Sequence, residues 1–456
     1  MILRRIVFSV LVWSLLLVSS SWSAEPAALW EFAPYRVGWR INFGGAIADE
    51  SRVRSEIAAY LDSASAIDFG PAWVVAPVSG TPAELDKLYE IDLRSNERRW
   101  QVVIRELDQR TRQHGPVVAR RDIDLRLLAS TVWRGVREAF RPLLLVDEVN
   151  GVEVRLRLRA GGLVAEPEHR VRPQVGQVLQ PWLRSESRRG DSRAAEPRIA
   201  GVEWTWLVVK SAVGSEITAE AASGYRTPLS GRARGQVQTY ALLIQPAASV
   251  TQLTLTTPRD AKAKGDSATT RPLAGYEVLS QPAHGTTNRS LGLTDWRGMI
   301  ALQPSKPELQ WLVVRHGGEV LARVPYLPGA ERELRLEVPD DNRRLEVEGL
   351  TIGLQEQVVD LVAKRQTVLA LARADIDTKK FDEAEQRLKQ MRLSSSVELL
   401  RNELRLQRQR LQADDPRVQA KIKRLFDDCE QVLNTHLDSR EIDQVERELK
   451  VQRSKK

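Results

Sequence analysis

Glu106 and Asp108 stand two residues apart in an apolar stretch, so in a strand both carboxylates point to one face. A second acidic pair, Asp147-Glu148, follows the apolar run 142–146. Two such pairs carry the residue types of general acid–base chemistry, in which one carboxyl donates a proton while an ionised partner accepts one or attacks. The plainer expectation is a solvated strand face and a turn, because no neighbouring residues mark a pocket around them. The remaining catalytic inventory is thin. His114, His169, His284, His316 and His436 are scattered without metal-ligand spacing, and three of them precede glycine as turn residues do. The chain holds a single cysteine, Cys429, which excludes a disulfide framework and any cysteine-clustered metal site. Neither a phosphate-cradling glycine loop nor a Gly-x-Ser-x-Gly elbow occurs. Gly190-Asp191-Ser192 and Gly265-Asp266-Ser267 sit in charged insertions that cannot hold a nucleophile in an oxyanion hole. No cofactor and no metal is expected.

The clearest candidate binding feature is the run 152–159, Val-Glu-Val-Arg-Leu-Arg-Leu-Arg. Strict alternation sends Val154, Leu156 and Leu158 to a core and Arg155, Arg157 and Arg159 to the opposite side. Such a ladder has the forked donors to grip an anionic cell-wall polymer. The competing expectation is a solvated face that protects a sheet edge.

The elements that must position these groups follow from composition and pattern. The 456 residues are 42% hydrophobic and 28% charged, with 68 Lys and Arg against 60 Asp and Glu. That is too apolar for disorder and too charged for a multi-span membrane protein, and the length predicts several domains. Opposite charges are interleaved, so the net charge of +8 projects little field toward nucleic acid. Residues 1–23 read as a secretory signal: Arg4 and Arg5, an apolar run over 6–18, then small residues up to Ser23. An uncleaved anchor is the alternative. A periplasmic or extracellular location follows, with no integral membrane span once the signal is removed.

Four further units are expected in a multidomain α+β chain. Residues 24–160 alternate strand and helix signals and read as an α+β domain. Residues 161–258 carry short strands with Gly, Pro and Ser between them, as in a small barrel or sandwich, and 259–271 is a polar linker. Residues 272–340 return to regularly spaced strands, and 341–456 are helical. Within the helical part, Val397, Leu400, Leu404 and Leu411 keep 3-4 spacing, and Pro416 opens a helix with Val418, Ile422, Leu425, Cys429 and Val432 on one face. A hairpin within the chain or a short coiled coil between chains both fit, and the second makes Cys429 a potential intermolecular disulfide.

Two local resemblances stand out. Gly292-Leu-Thr-Asp-Trp-Arg-Gly298 followed by Met299-Ile-Ala-Leu resembles the hairpin of carboxypeptidase-regulatory-like and related immunoglobulin-like modules. The resemblance implies a β-sandwich over 272–340 that is structural or adhesive, with Asp295 as a turn residue. The stretch 358–392 resembles one tetratricopeptide helix pair, with Phe381 and Ala384 in packing positions of the second helix; a single unit implies no peptide-binding solenoid.

Together these readings point to an exported, non-catalytic envelope scaffold or adaptor whose partner is an envelope protein or an anionic cell-wall polymer, with self-association through the helical tail and no nucleic acid. The rival is a periplasmic hydrolase or glycan-processing enzyme working through carboxylates in residues 24–160.

Overall fold

The computed structural model describes residues 27–45, 49–76, 85–96, 99–122, 124–185, 196–226, 229, 237–258, 270–283, 285–303, 308–393 and 396–454. The signal-like segment, His284, both Gly-Asp-Ser tripeptides and most of the 259–271 linker lie outside the described residues.

The described residues begin with a one-turn helix, α1 (Ala27–Trp30), which leads into a six-stranded sheet. Its strands are β1 (Tyr35–Gly44), β2 (Trp73–Val75), β3 (Lys87–Asn96), β4 (Arg99–Asp108), β5 (Gln113–His114) and β6 (Val118–Asp122). The first three are parallel, with β1 between β2 and β3, while β4 runs antiparallel to β3 and takes β5 and β6 on its other edge. The parallel step from β1 to β2 needs a crossover, which α2 (Glu50–Asp68) supplies. Its Val53, Ile57, Leu61 and Ser65 recur every four residues and are buried. A second helix, α3 (Leu128–Ala139), packs beside α2 and against β4.

Next comes a closed barrel. β7 (Leu143–Asn150) and β8 (Glu153–Leu158) form a hairpin, followed by β9 (Val178–Ser185), β10 (Arg198–Gly201), β11 (Thr205–Val213), β12 (Glu216–Ser223) and β13 (Val237–Leu243). Antiparallel pairing runs β9, β11, β12, β8, β7, β13 and back to β9, so six strands close on themselves and β10 adds to β9. Closure removes the exposed edges of an open sheet. The β7–β8 hairpin, expected inside the 24–160 unit, therefore belongs to the barrel. Hairpin pattern is local, whereas the choice of sheet is made by β12 and β13 far downstream. One contiguous apolar core runs from Trp30 to Leu243, shared by the first sheet and the barrel.

Residues beyond the barrel form a two-sheet sandwich. β14 (Thr251–Thr256) lies between β17 (Met299–Leu302) and β20 (Glu333–Glu337) in one sheet. The other sheet orders β16 (Arg289–Leu293), β15 (Glu277–Pro282), β18 (Gln310–His316) and β19 (Glu319–Tyr326). Their inner faces enclose Leu253, Tyr276, Val278, Leu312, Val314 and Leu336. β14 was expected in the preceding barrel unit, but it pairs in parallel with β20, so the sandwich begins ahead of the polar linker.

The helical part is built on one long helix, α4 (Asn342–Asp377). α5 (Phe381–Leu393), α6 (Ser396–Arg410), α7 (Pro416–His436) and α8 (Arg440–Ser454) fold back along it. The first half of α4 shares a core with α6 and α7; the second half shares another with α5 and α8, in which Phe381 and Ala384 are buried. Leu400, Leu404 and Leu411 meet Val418, Ile422 and Cys429 inside this chain, so the seam considered for an interchain coiled coil is already filled. No helix among the described residues is long and apolar enough to cross a membrane.

Candidate functional site

Glu106 and Asp108 do converge, as their spacing requires, but on the inside of the molecule. Both are fully buried where the first sheet meets the barrel, together with Lys87 at the start of β3 and Arg141 between α3 and β7. The Lys87 ammonium faces three oxygens: Glu106 Oε1 at 3.0 Å, Asp108 Oδ2 at 2.8 Å and the Arg141 carbonyl at 2.7 Å. Glu106 Oε1 and the Arg141 carbonyl accept hydrogen bonds from it, while Asp108 Oδ2 meets it as an ion-pair contact outside hydrogen-bond geometry. Glu106 Oε1 also accepts from Arg141 Nε at 3.2 Å, and its Oε2 accepts from the Arg141 backbone N–H at 2.7 Å and the Tyr89 hydroxyl at 3.4 Å. Asp108 Oδ1 takes both the backbone N–H and the hydroxyl of Thr111 at 2.7 Å.

A second group lies across the Tyr35 ring. Asp86 Oδ2 accepts from Arg159 Nη2 at 2.8 Å and from the Arg36 backbone N–H at 3.0 Å, and Asp86 Oδ1 accepts from Arg110 Nε at 3.0 Å. Arg159 also donates to the Pro34 carbonyl at 3.1 Å and lies over the Trp30 ring, 4.7 Å from its centroid. Tyr35 links the groups: its hydroxyl accepts from Leu143 N–H at 2.9 Å, and both Lys87 Nζ and Arg159 Cζ sit 5.8 Å from its ring centroid.

Among the buried members Asp86, Glu106 and Asp108 balance Lys87, Arg141 and Arg159, none more than 3% exposed, and Arg110 adds a fourth cation at the more exposed rim. Burying an isolated charge is prohibitive; a balanced and hydrogen-bonded set is tolerated. Burial on its own would raise the Asp108 carboxyl, but the Lys87 ammonium and the Thr111 bonds outweigh it and hold that carboxyl below its usual range. Burial pushes the Tyr35 and Tyr89 hydroxyls far up, so neither ionises at neutral pH. All six buried members are shielded from solvent and ion-paired within the set. Its geometry fastens the sheet to the barrel.

The other carboxylates considered for catalysis are apart from it. Asp147 Oδ2 accepts from Arg157 Nε at 2.8 Å, and Glu148 is 3.3 Å from Arg155 Nη1. The arginine ladder is therefore largely neutralised. Val154, Leu156 and Leu158 enter the core as alternation requires. Of the three arginines, however, only Arg155 is well exposed; Arg157 is held by Asp147 and by Glu31 at 3.5 Å, and Arg159 turns inward past the end of β8. Residue spacing gave the faces over 154–158 but not that of Arg159, and it did not show the partners, which are Asp147 and Glu148 across the hairpin and Glu31 and Asp86 from farther away. Lys87, Asp86 and Arg141 were missed altogether. Their one signal is a charged Asp-Lys pair opening an otherwise apolar alternating strand, where an uncompensated charge is costly.

His316 ends β18 ahead of a turn made by Gly317 and Gly318, both at positive φ. Its ring stacks on Tyr276 at 4.0 Å, and Nδ1 is 3.8 Å from Asp341 Oδ2. His114 closes β5 at the turn into Gly115. Asp295 is a turn residue in fact as well as in expectation: Oδ1 accepts from the N–H groups of Arg297 at 2.9 Å and Met299 at 2.8 Å. Cys429 is buried between α4 and α7, and burial raises its thiol. Among the described residues no group of three or more His, Cys, Asp or Glu is arranged to hold a metal ion.

No protein-family profile matches the chain, and no curated protein matches it. Among solved structures, TolB from Acinetobacter baumannii aligns over 66% of this chain and 95% of its own at 10% identity, with a TM-score of 0.18. The major pilin subunit of Bacillus cereus aligns over 58% of this chain and 73% of its own at 8% identity, with a TM-score of 0.15. Likenesses this slight assign neither a family nor an activity.

Proposed function

We propose that the chain is an exported, non-catalytic scaffold or adaptor of the cell envelope that works through contacts with other proteins or with cell-wall material. The observation that carries this reading is the fate of the best catalytic candidates: Glu106 and Asp108 are fully buried and ion-paired where one unit meets the next. Export rests on the signal-like residues 1–23. Exposed apolar side chains on the later units support the reading. Trp296 stands 73% exposed at the tip of a fixed turn with the Arg297 guanidinium 4.4 Å from its ring centroid, and Trp and Arg are the residues that most often anchor interfaces. Leu399 and Leu406 are exposed seven residues apart on one side of α6.

A photo-crosslinking residue placed at Trp296 or Leu406 of the full-length protein, in its native cells, tests the reading. Discrete adducts at these positions, absent from a control at Glu220 on the barrel, are expected. Adducts at none of the positions, or the same smear at all three, would contradict it.

A further inference from the structure

Five arginines, Arg120, Arg134, Arg137, Arg170 and Arg172, line a cleft of about 750 Å³ between α3 and the segment leading into β9. Phe140 and Leu243 contribute apolar wall, and Glu138 and Glu168 are its acidic members. Two of the arginines are neutralised, Arg120 by Glu138 and Arg137 by Asp68. Among the described residues the other three pair with no carboxylate. Arg134 Nη2 donates to the Thr131 hydroxyl at 2.9 Å, and Arg170 is exposed. Arg172 is only 9% exposed; its Nη2 donates to the Val164 carbonyl at 2.6 Å, while its Nε has no partner among the described residues.

A buried guanidinium with no counter-charge is costly, and its fork matches the geometry of a carboxylate or phosphate group. The segment that presents it is ordered by His169. Nδ1 of that ring accepts from Val171 N–H at 3.2 Å, so Nε2 carries the proton and donates to the Asp68 carbonyl at 3.0 Å. With both ring nitrogens committed, His169 fixes the loop that carries Arg170 and Arg172.

We propose that this cleft binds a small multivalent oxyanion, bearing carboxylate or phosphate groups, through Arg134, Arg170 and Arg172. The site is independent of the scaffold reading. It also moves anion recognition away from the 155–159 arginines, which already have carboxylate partners, to arginines that lack them.

Calorimetric titration of the full-length protein with tripolyphosphate and with citrate, at about 0.15 M salt, tests the site and separates the two chemistries. Saturable binding of at least one probe is expected, and the tighter probe identifies phosphate or carboxylate. Arg170→Ala and Arg134→Ala each weaken it about tenfold, the value of one charge-assisted hydrogen bond. Arg155→Ala, outside the cleft, leaves it unchanged. Arg170 and Arg134 are exposed, so their variants keep the fold and the test stays decisive even if Arg172→Met does not. Failure of both probes to saturate, or binding that Arg170→Ala and Arg134→Ala leave intact, overturns the proposal.

Discussion

Lys87 is an ammonium shared by two buried carboxylates, so its removal has a clear consequence. Lys87→Met leaves Glu106 and Asp108 without their common cation, in a site that admits no water. The expected loss is about 3–5 kcal/mol, read as a lower midpoint in urea unfolding. Replacing Lys87, Glu106 and Asp108 together by apolar residues of similar volume should restore most of that stability, because the penalty comes from unpaired charge rather than from lost contact. A triple variant as unstable as Lys87→Met would refute this. Asp108 adds an acid dependence. Its folded carboxyl titrates below the unfolded one, so its contribution is complete above about pH 4 and is lost as the pH falls through the lower folded value. At this scale the sequence was half legible. Spacing put Glu106 and Asp108 on one face, but Lys87 lies 19 residues and Arg141 35 residues from Glu106, distances at which no local pattern speaks.

Hairpins and helices were readable as elements because their signals are local, while their partners were not. Strands over 142–146 and 152–159 are legible in the sequence, yet nothing in them names β12 and β13, which draw β7 and β8 into the barrel. Likewise β14 looks like any short strand until β20 arrives to pair with it in parallel. Glycine positions give a sharper test of the sandwich. Gly298 holds φ at 71°, and a Cβ there would lie 2.5 Å from the Leu255 carbonyl oxygen, so Gly298→Ala should cost more than about 1 kcal/mol in urea unfolding. A pH response is expected at the joint between sandwich and α4. Burial lowers His316; Asp341 opposes the shift and Arg344 adds to it, with Asp340 also nearby and Tyr276 stacked on the ring. Unfolded imidazole takes its proton near pH 6.5 and the folded ring takes it lower, so the contribution is full above that pH and declines below it. His316→Gln should flatten the fall in melting temperature between about pH 7 and pH 5; an unchanged slope would place the response elsewhere. In the helical part, Cys429 is predicted to react with a thiol reagent only after denaturation, and the protein should run identically on reducing and non-reducing gels.

Over the whole molecule, the first sheet and the barrel share one core and one buried charge set, while the sandwich joins the helices through Arg344. That side chain binds Asp341 bidentately and donates to the His316 carbonyl at 2.9 Å, spanning the joint. Of the charges that looked like chemistry in the sequence, Glu106 and Asp108 are ion-paired at the joint between sheet and barrel, and Asp147 and Glu148 pair with arginines across their own hairpin. The most direct test of that claim uses two full-length variants, Glu106→Gln inside the cluster and Asp147→Asn outside it. Each is checked for fold by circular dichroism and then assayed for crosslinked partners in native cells. The account predicts that folded protein of either kind retains the wild-type adducts and the wild-type biological activity. A folded Glu106→Gln or Asp147→Asn protein that keeps its adducts but loses its activity would show a catalytic carboxylate and contradict it.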